Sequence, residues 1–271
     1  MLIVSFNVNS VRLRLHQLKS VIDKYNPHVI ALQETKVTDE DFPVEDIKAL
    51  GYDVEFHGQK THYGVATMMR VECKHCRKGF ASDGDDAQRR MITTEVISEK
   101  GNAITVMNGY FPQGENRSHD VKFPAKEKFY RDLSQSLKTD YSADQHLVVT
   151  GDFNVAPVDN DIGIGPDNAK RWIRTGNTSF LPEEREWMQK LIDWGLVDTY
   201  RQKYPDIDDL FSWFDYRSKG FDRDPKRGLR IDHVLATQTM ADKLLDSGID
   251  YDVRAMEKPS DHCPVWSSFD L

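Results

Sequence analysis

Six short segments of the chain place Asn, Asp, Glu, Tyr or His where an apolar run ends or begins. These segments are Asn7 to Asn9, Gln33 and Glu34, Asn108 to Tyr110, Gly151 to Asn154, Asp232 with His233, and Asp261 with His262. Any one of them alone is more typical of a turn, because Asn, Asp and Gly are common turn residues. Six segments with this restricted set of side chains indicate groups that converge on one face of a sheet.

The oxygen-bearing side chains in these segments suit a site for a hard cation. Hydrolysis of a phosphodiester develops negative charge, and Mg²⁺ offsets that charge while bound to one or two carboxylates and to water. Glu34 is the best candidate ligand, and Asp261 with Asn7 or Asn9 could supply further oxygen atoms. The sequence therefore predicts metal-assisted hydrolysis.

The remaining polar residues could move protons and stabilise charge. Asp232 could pair with His262, fix the tautomer of the imidazole and raise its basicity. Asn154 and Tyr110 are neutral donors that could stabilise charge in the transition state. The chain has no Gly-x-Ser-x-Gly motif and no context that would activate a cysteine, so we predict no covalent intermediate.

Short β-rich runs alternate with helical stretches and would position these residues. We predict strands over 2–8, 29–33, 54–57, 65–70, 91–97, 103–110, 146–150, 210–216, 231–236, 249–254 and 264–269. Helices are predicted over 15–25, 44–50, 123–138 and 182–194. The short links favour antiparallel pairing. Strands and helices in both halves indicate two packed sheets with helices outside, within one domain spanning residues 1–271.

The composition is that of a globular chain of 271 residues, with 39% hydrophobic and 30% charged residues. No apolar run is long enough to span a membrane, and the N-terminal segment lacks the features of a secretory signal. Three cysteines are typical of a reducing compartment, so we expect a cytoplasmic protein. The net charge of −8 does not decide the partner, because basic residues cluster at 170–174 and 217–230.

Several of these segments resemble the signature motifs of the exonuclease III family, in the family's order and spacing. They are LQETK (32–36), NGYFPQG (108–114), GDFN (151–154) and SDHCPVW (260–266), with SFLPEEREWM (179–188) and WFDYRSKGF (213–221) similar to the bacterial branch. The resemblance implies a deoxyribonuclease I-like fold. This is a four-layer α/β sandwich of two packed mixed, mainly antiparallel β-sheets flanked by helices.

The resemblance also implies a function. Members of this family are Mg²⁺-dependent DNA-repair nucleases, and Mn²⁺ is expected to substitute. The implied activities are 3′-to-5′ exonuclease on double-stranded DNA, cleavage 5′ to abasic sites, and 3′-phosphatase or 3′-phosphodiesterase. The expected partner is duplex DNA with abasic sites or 3′ ends. We expect a monomer without an obligate protein partner or a membrane.

Roles at the site follow from the matching positions. Glu34 would be the principal metal ligand, and the implied ligand set also includes Asn7, Asp152, Asn154 and Asp261. The implied catalytic residues are Asn7, Tyr110, Asp152, Asn154, Asp232 and His262. Asp152 would be either the general base or the group that protonates the leaving oxygen, and Asn154 would orient Asp152 or the water. Tyr110 would contact the phosphate or the leaving group.

Three apolar positions match those that wall an extrahelical abasic sugar in the family: Trp213, Leu229 and Ile231. From the residues alone they would be ordinary core residues. A tight apolar wall would admit a sugar without a base, and flipping costs least where no base has to be unstacked. Arg89, Arg90 and Gln113 match positions that contact DNA.

Three departures from the family pattern stand out. Ser10 stands where the family usually has glycine. Since serine is tolerated there, we expect a turn that does not need positive φ. Cys263 replaces a usual alanine and is expected to be a small buried thiol, sensitive to oxidation. Residues 224–226 lengthen the loop beside the expected DNA surface. Separately, Cys73 and Cys76 are spaced like half of a zinc site, but the favoured interpretation is an exposed or half-buried strand end.

Two other functions are compatible with parts of the pattern. A phosphodiesterase of the same fold that acts on phosphoinositide or sphingolipid headgroups would share the Glu, Asp and His set. It would lack the 213–221 segment and the 229–231 positions. A non-enzymatic DNA-binding module with a decayed site would lack at least one ligand, and none is missing from this sequence.

Overall fold

The computed structural model describes all 271 residues. The strands are β1 (Leu2–Asn7), β2 (Val29–Gln33), β3 (Asp53–His57), β4 (Val65–Met69), β5 (Cys73–Lys78), β6 (Met91–Ile97), β7 (Ala103–Tyr110), β8 (Leu147–Asp152), β9 (Leu196–Asp198), β10 (Asp232–Thr237), β11 (Leu244–Ile249) and β12 (Val265–Phe269). The helices are α1 (Leu15–Tyr25), α2 (Val44–Ala49), α3 (Lys122–Asp140), α4 (Pro166–Thr175), α5 (Pro182–Trp194), α6 (Thr199–Lys203), α7 (Gln238–Ala241) and α8 (Tyr251–Arg254). Short 3-10 helices lie at Val11–Leu13, Asp159–Asp161 and Gly220–Asp222.

The strands form two six-stranded sheets with the same succession of pairings. The first has the order β11-β12-β1-β2-β4-β3 and the second β5-β6-β7-β8-β10-β9. In each sheet the central pairing is parallel, β1 with β2 and β7 with β8, and the other four are antiparallel. Because parallel strands need a crossover connection, each parallel pair is joined through a helix, α1 or α3.

Alternating side chains divide the interior into three apolar layers. Ile3 and Val106 belong to a cluster that contains residues from both sheets. Their neighbours point the opposite way, Val4 toward α1 and Met107 toward α3 and α5. Because side chains alternate between the two faces of a strand, one face of each sheet packs against the other sheet. The opposite face packs against helices. The expected four-layer sandwich of two mixed sheets is confirmed.

Two predicted strands are wrong. The segment 210–216 forms only isolated bridges at Trp213, to Leu229 and to His262, because both neighbouring segments are loops. In the segment 249–254, β11 ends at Ile249 and a helix follows. The Asp250 carboxylate accepts hydrogen bonds from the backbone N–H groups of Asp252 and Val253 and so begins that helix.

Strand β5 and helix α4 lie outside the predicted elements. β5 contains Cys73 and Cys76, both half-buried, and a bulge lies between Cys73 and His75. α4 buries no residue completely and consists mostly of polar and charged residues, so it presents no apolar run. The ends of α4 carry clearer sequence signals than its interior. Pro166 lies in its first turn, and Gly176 is its C-cap residue. No helix in the structure has the length and apolar character needed to cross a membrane.

Candidate active site

The candidate residues meet at one edge of the sandwich. The carboxyl ends of the two parallel pairs lie there, and the antiparallel neighbours β10 and β12 begin at the same edge. This arrangement assembles residues from both sheets, namely Asn7, Glu34, Tyr110, Asp152, Asp232 and His262. The convergence predicted from the sequence is therefore present.

Gly151 and Asp152 end strand β8 and do not form a turn. Gly151 lies opposite Gly109 of β7 and has a φ of 143°. A Cβ atom on Gly151 would lie 1.9 Å from the carbonyl oxygen of Gly109. Only glycine permits this close approach, and it brings the last residue of β8, Asp152, into register with Asp232 of β10.

Glu34, Asp152 and His262 form a compact cluster. One ligand atom from each lies within 4.8 Å of the others. The amide nitrogen of Asn7 donates to both carboxylates, at 2.9 Å to Glu34 Oε1 and 2.9 Å to Asp152 Oδ2. The amide oxygen of Asn7 accepts from the backbone N–H of Asn9 at 3.0 Å and is directed away from the cluster. Asn7 therefore holds the two carboxylates together.

His262 is paired with Asp232 through Nδ1, at 2.8 Å from Asp232 Oδ2. Ser212 fixes this carboxylate, because its hydroxyl donates to Oδ2 at 2.6 Å and accepts from the backbone N–H groups of Ile231 and Asp232. Burial alone would lower the pKa of His262, but the carboxylates of Asp232 and Asp152 outweigh it and raise that pKa to about 10. The expected carboxylate–imidazole pair is present.

Asp152 faces the other side of the imidazole ring. Its Oδ2 lies 3.7 Å from Nε2 of His262, and its Oδ1 accepts from the backbone N–H of Asn154 at 3.0 Å. Burial raises the pKa of Asp152 to about 7, with contributions from Asp232 and Glu34 and an opposing one from His262. A carboxyl group with this pKa can give up or take a proton near neutrality.

Tyr110 borders the cluster and is held by Arg90. The Arg90 guanidinium lies over the rings of Tyr63 and Tyr110, at 4.0 and 4.6 Å from their centroids, and donates to the carbonyl oxygen of Tyr110. Burial raises the pKa of Tyr110, and the nearby Glu34 adds to the effect. The phenol is therefore a neutral donor at the edge of the site.

Asp261 lies outside the cluster. Its carboxylate accepts from Asn9 Nδ2 at 2.8 Å and from Trp213 Nε1 at 3.1 Å. Burial alone would raise the pKa of Asp261, but His262 and these two donors lower it. Asp261 thus orients Trp213 and Asn9 in this structure.

Lys36 is a further site residue to which the sequence alone assigned no role. Its ammonium lies 2.9 Å from Glu34 Oε2 and donates to Asn9 Oδ1 at 2.5 Å. The signal available in the sequence was a lysine two residues after the candidate ligand Glu34. A cation held this close partly compensates the charge of the Glu34 carboxylate.

Left-handed backbone is concentrated at the site. Of the twelve non-glycine residues with positive φ, five belong to this edge: Asn9, Ser10, Glu34, Lys36 and Asn154. Ser10 has a φ of 95°, so the expectation of a turn without positive φ is wrong. A serine in this conformation carries strain that the surrounding contacts must offset. Its backbone N–H donates to the carbonyl oxygen of Glu34 at 2.8 Å.

The three apolar positions lie together beside the cluster. Leu229 and Ile231 are buried with Phe180, and Trp213 and Trp172 pack on them half-buried. Arg89 and Gln113 lie further out. Arg89 contacts His57, and Gln113 donates to Thr178 at 3.0 Å. The expected buried thiol at Cys263 is confirmed.

A fully buried ion pair supports the loop that carries Asn154. Lys126 donates to Glu184 at 2.5 Å and to the carbonyl oxygens of Asn154 and Gln113. The other oxygen of Glu184 accepts from two backbone N–H groups, those of Ser179 and Leu181. The pair therefore joins α3 and α5 to two loops at the site.

Lys126→Met should lower the free energy of unfolding by about 3–5 kcal/mol, because it leaves the Glu184 carboxylate buried without its cation. Urea denaturation measures this change. Lys128→Met is the matched control, since Lys128 on the same helix pairs with Asp132 at the surface and should cost less than about 1 kcal/mol. Equal losses in the two variants would contradict the structural role of the pair.

Comparisons with known proteins agree with this fold and site. The model of the endonuclease/exonuclease/phosphatase family matches residues 4–262, and the chain belongs to this family. Exodeoxyribonuclease III of Haemophilus influenzae is 56% identical over 266 residues, covering 98% of each chain. The resemblance to the exonuclease III family stated from the motifs is confirmed.

Solved structures with full coverage of both chains are also similar. An AP endonuclease from Archaeoglobus fulgidus superposes with a TM-score of 0.91 at 32% identity. A 3′ phosphatase from Neisseria, solved with a product DNA hairpin, superposes with a TM-score of 0.89 at 35% identity. The family is one of hydrolases, and the carboxylate cluster of this chain is compatible with its metal dependence.

Proposed function

We propose that this chain is a Mg²⁺-dependent DNA-repair nuclease. Its substrates would be duplex DNA with abasic sites, cleaved 5′ to the lesion, and 3′ ends, from which nucleotides or blocking groups are removed. The cluster of Glu34, Asp152 and His262 backed by Asp232 carries the proposal. The relatives named exodeoxyribonuclease III, AP endonuclease and 3′ phosphatase support it. One catalytic domain over residues 1–271 would act as a monomer.

The side chains at the site fit a small hard cation. Glu34 and Asp152 place two carboxylates side by side, and burial beside other carboxylates raises the pKa of Asp152 to about 7. A divalent cation would relieve this excess of negative charge. Glu34 would be the principal ligand, with Asp152 and Asn154 adjacent and Asn7 holding the carboxylates. When bound, Mg²⁺ would supply Lewis acidity to a phosphate oxygen.

Side chains of the site would handle the protons and orient the reacting groups. Hydrolysis forms a bond from water oxygen to phosphorus and breaks the bond from phosphorus to the 3′-oxygen. Asp152 would either take the proton of the water or give one to the leaving 3′-oxygen, and Asn154 would orient Asp152. Asp232 would hold His262 in position, and Tyr110 would donate to the phosphate.

All three proposed activities break the same bond, so one site can serve them. Incision at an abasic site, removal of a terminal nucleotide and removal of a 3′-phosphate each release a 3′-hydroxyl. Trp213, Leu229 and Ile231 would wall the abasic sugar, Asp261 would fix the indole of Trp213, and Arg89 and Gln113 would contact the DNA. Arg90, which was expected to contact DNA, is buried between Tyr63 and Tyr110 and would act by holding Tyr110.

Trp213→Ala should lower the rate of incision at an abasic site more than it lowers thermal stability, because the indole is half-buried and would face the sugar. The loss should reach at least about tenfold, the equivalent of one stacking contact. Trp194→Ala is the matched control, since that half-buried indole lies at the end of α5 against the helix layer. Equal loss of incision in both variants would assign Trp213 to the core alone.

The proposed function is tested on two duplexes with Mg²⁺. One duplex contains a single abasic site and the other is intact and blunt. We expect incision of the first directly 5′ to the lesion and 3′-to-5′ shortening of the second. Cleavage of phosphoinositide or sphingolipid headgroups with no action on either duplex would support the alternative phosphodiesterase and would overturn the proposal.

A further inference from the structure

One residue of the six polar segments, His233, takes no part in the cluster. It follows Asp232 on β10 and lies opposite Gly151 of β8. Because side chains alternate along a strand, its imidazole points to the opposite face of the sheet from the Asp232 carboxylate. The side chain is buried, and a buried polar group needs hydrogen-bond partners. The partners of this ring therefore indicate its role.

The two ring nitrogens of His233 have partners of opposite kind. Nδ1 lies 2.9 Å from Arg230 Nη1, and Nε2 lies 2.8 Å from the carbonyl oxygen of Val155. A guanidinium only donates and a carbonyl oxygen only accepts, so the imidazole is neutral and carries its proton on Nε2. Burial and the charge of Arg230 lower the pKa of His233, in agreement with a neutral ring. His233 is therefore a donor to Val155, fixed in one tautomer.

Arg230 is itself held by two carboxylates. Its buried guanidinium donates to Asp161 Oδ1 at 2.7 Å and to Asp198 Oδ2 at 2.6 Å. Asp198 Oδ2 also lies 3.8 Å from Nδ1 of His233, farther away than the Arg230 nitrogen that donates to this atom. The carboxylates fix the guanidinium, and the guanidinium fixes the orientation of the imidazole.

The carbonyl oxygens of residues 153–155 each accept from a different buried side chain. The donors to the first two are Tyr130 and Lys126 of α3, each at 2.8 Å. His233 is the third donor and the only one of the three that lies on β10. Within this segment Asn154 has a φ of 52°, a conformation that persists only where surrounding contacts impose it. Donors from α3 and β10 on successive carbonyl oxygens provide these contacts.

The conformation of Asn154 decides the direction of its backbone N–H. This N–H donates to Asp152 Oδ1 at 3.0 Å, and Asp152 is the carboxyl group proposed to transfer a proton. Without the bond from His233 to Val155, the backbone of residues 154 and 155 could relax to conformations of lower energy. The N–H would then no longer point at the Asp152 carboxyl group.

We propose that His233 is a positioning residue for phosphodiester hydrolysis, which fixes the segment 153–155 and thereby keeps the Asn154 N–H on Asp152. The imidazole touches none of the reacting groups and acts through the backbone alone. The inference rests on the proposed function, because that function assigns the proton transfer to Asp152. It gives a role to the histidine that directly follows Asp232 in the sequence.

Three variants test this role. In His233→Asn the amide oxygen can take the place of Nδ1 and accept from Arg230, but the shorter side chain does not reach Val155. In His233→Gln the amide nitrogen takes the place of Nε2 and restores the donor. Thr199→Val is the matched control, because the Thr199 hydroxyl is a buried donor to the carbonyl oxygen of Val234, the next residue of β10.

At saturating abasic duplex with Mg²⁺, His233→Asn should lower kcat at least about tenfold, because a small displacement of a catalytic group is costly. Its KM should stay within about twofold of wild type, since no contact with DNA is removed. His233→Gln should keep kcat within about threefold of wild type. Thr199→Val should keep kcat equally well, although its melting temperature should fall as much as that of His233→Asn. Each of these two changes leaves one buried carbonyl oxygen without its donor.

Two NMR measurements on protein in EDTA give readouts without turnover. The ring nitrogen shifts of His233 in wild type should be those of a neutral imidazole protonated at Nε2, and this measurement depends on the folding of no variant. The amide proton of Asn154 should resonate downfield, as expected for a donor to a carboxylate. It should move upfield in His233→Asn and stay in place in His233→Gln and Thr199→Val.

The outcomes separate the possible failures. A wild-type His233 ring protonated at Nδ1, or an unchanged kcat in His233→Asn, would overturn the positioning role. Equal losses of kcat in His233→Asn and Thr199→Val, or a loss that His233→Gln does not restore, would assign His233 to stability alone and also overturn the proposal. Wild-type protein inactive on both duplexes would instead overturn the proposed function itself.

Discussion

Asp232→Asn and His262→Asn should each lower the rate of phosphodiester cleavage by about three to four orders of magnitude. His262→Asn removes the imidazole, and Asp232→Asn keeps the shape of the side chain but removes the anionic acceptor at 2.8 Å that fixes the tautomer of the imidazole. The Asp232 carboxylate also raises the pKa of His262, so its loss removes the charge that favours the protonated ring. The double variant should lose little more than either single variant, because the two residues act as one unit.

Single-turnover rates on the abasic duplex measure these losses for both single variants and the double variant. His146→Asn provides the control, because His146 precedes β8 and so lies at the opposite end of that strand from Asp152. That change should leave the rate within about threefold of wild type. Losses that multiply in the double variant would show that Asp232 and His262 act separately.

Removal of divalent cations with EDTA should abolish cleavage, and added Mg²⁺ or Mn²⁺ should restore it. The reason lies in the carboxylates of Glu34 and Asp152, which are held side by side by Asn7. Glu34→Gln keeps the shape of the side chain but removes an anionic oxygen. The Mg²⁺ concentration for half-maximal rate should therefore rise at least about 100-fold.

Metal affinity can be measured directly by calorimetry with Mn²⁺, independently of turnover. Glu95→Gln is the control, because Glu95 is an exposed carboxylate on β6. It should alter neither the affinity nor the rate by more than about threefold. Full cleavage in excess EDTA, or unchanged Mn²⁺ affinity in Glu34→Gln, would disprove a metal site at Glu34.

The elements that could be predicted from the sequence are those with a strong apolar period. α5 begins at Pro182 and ends at Trp194 as expected, and β2 and β7 also have the predicted bounds. The segment 210–216 is also rich in apolar and aromatic residues, yet its neighbours are loops. Apolar composition indicates which segments are buried, but whether a strand forms depends on partners distant in sequence.

The residues of the site were predictable because six strand ends carry the same restricted set of Asn, Asp, Glu, Tyr and His side chains. The roles of these residues were harder to predict from the sequence. Asn7 was expected to offer oxygen to a metal, and its amide nitrogen faces Glu34 and Asp152 here. Asp261 was grouped with the ligands, and it holds Asn9 and Trp213. A residue type limits what a side chain can donate or accept, whereas the neighbours that it meets are set by the fold.

The ion pair of Lys126 and Glu184 had no signal in the sequence. Both residues lie on helices with many charged positions, and nothing local distinguishes a buried charge from an exposed one. Ser10 illustrates the opposite case. Its identity argued against positive φ, but the hydrogen bond of its N–H to Glu34 and the fold around it impose that conformation.

The pairing of β1 with β12 has a consequence for the order in which this chain is made. β1 carries Asn7, while His262 lies directly before β12, more than 250 residues later. A chain still growing on the ribosome can form β8 and its Asp152, but it lacks the imidazole and the edge of the first sheet. Under the proposed function, a chain that does not yet contain His262 and β12 cannot cut DNA.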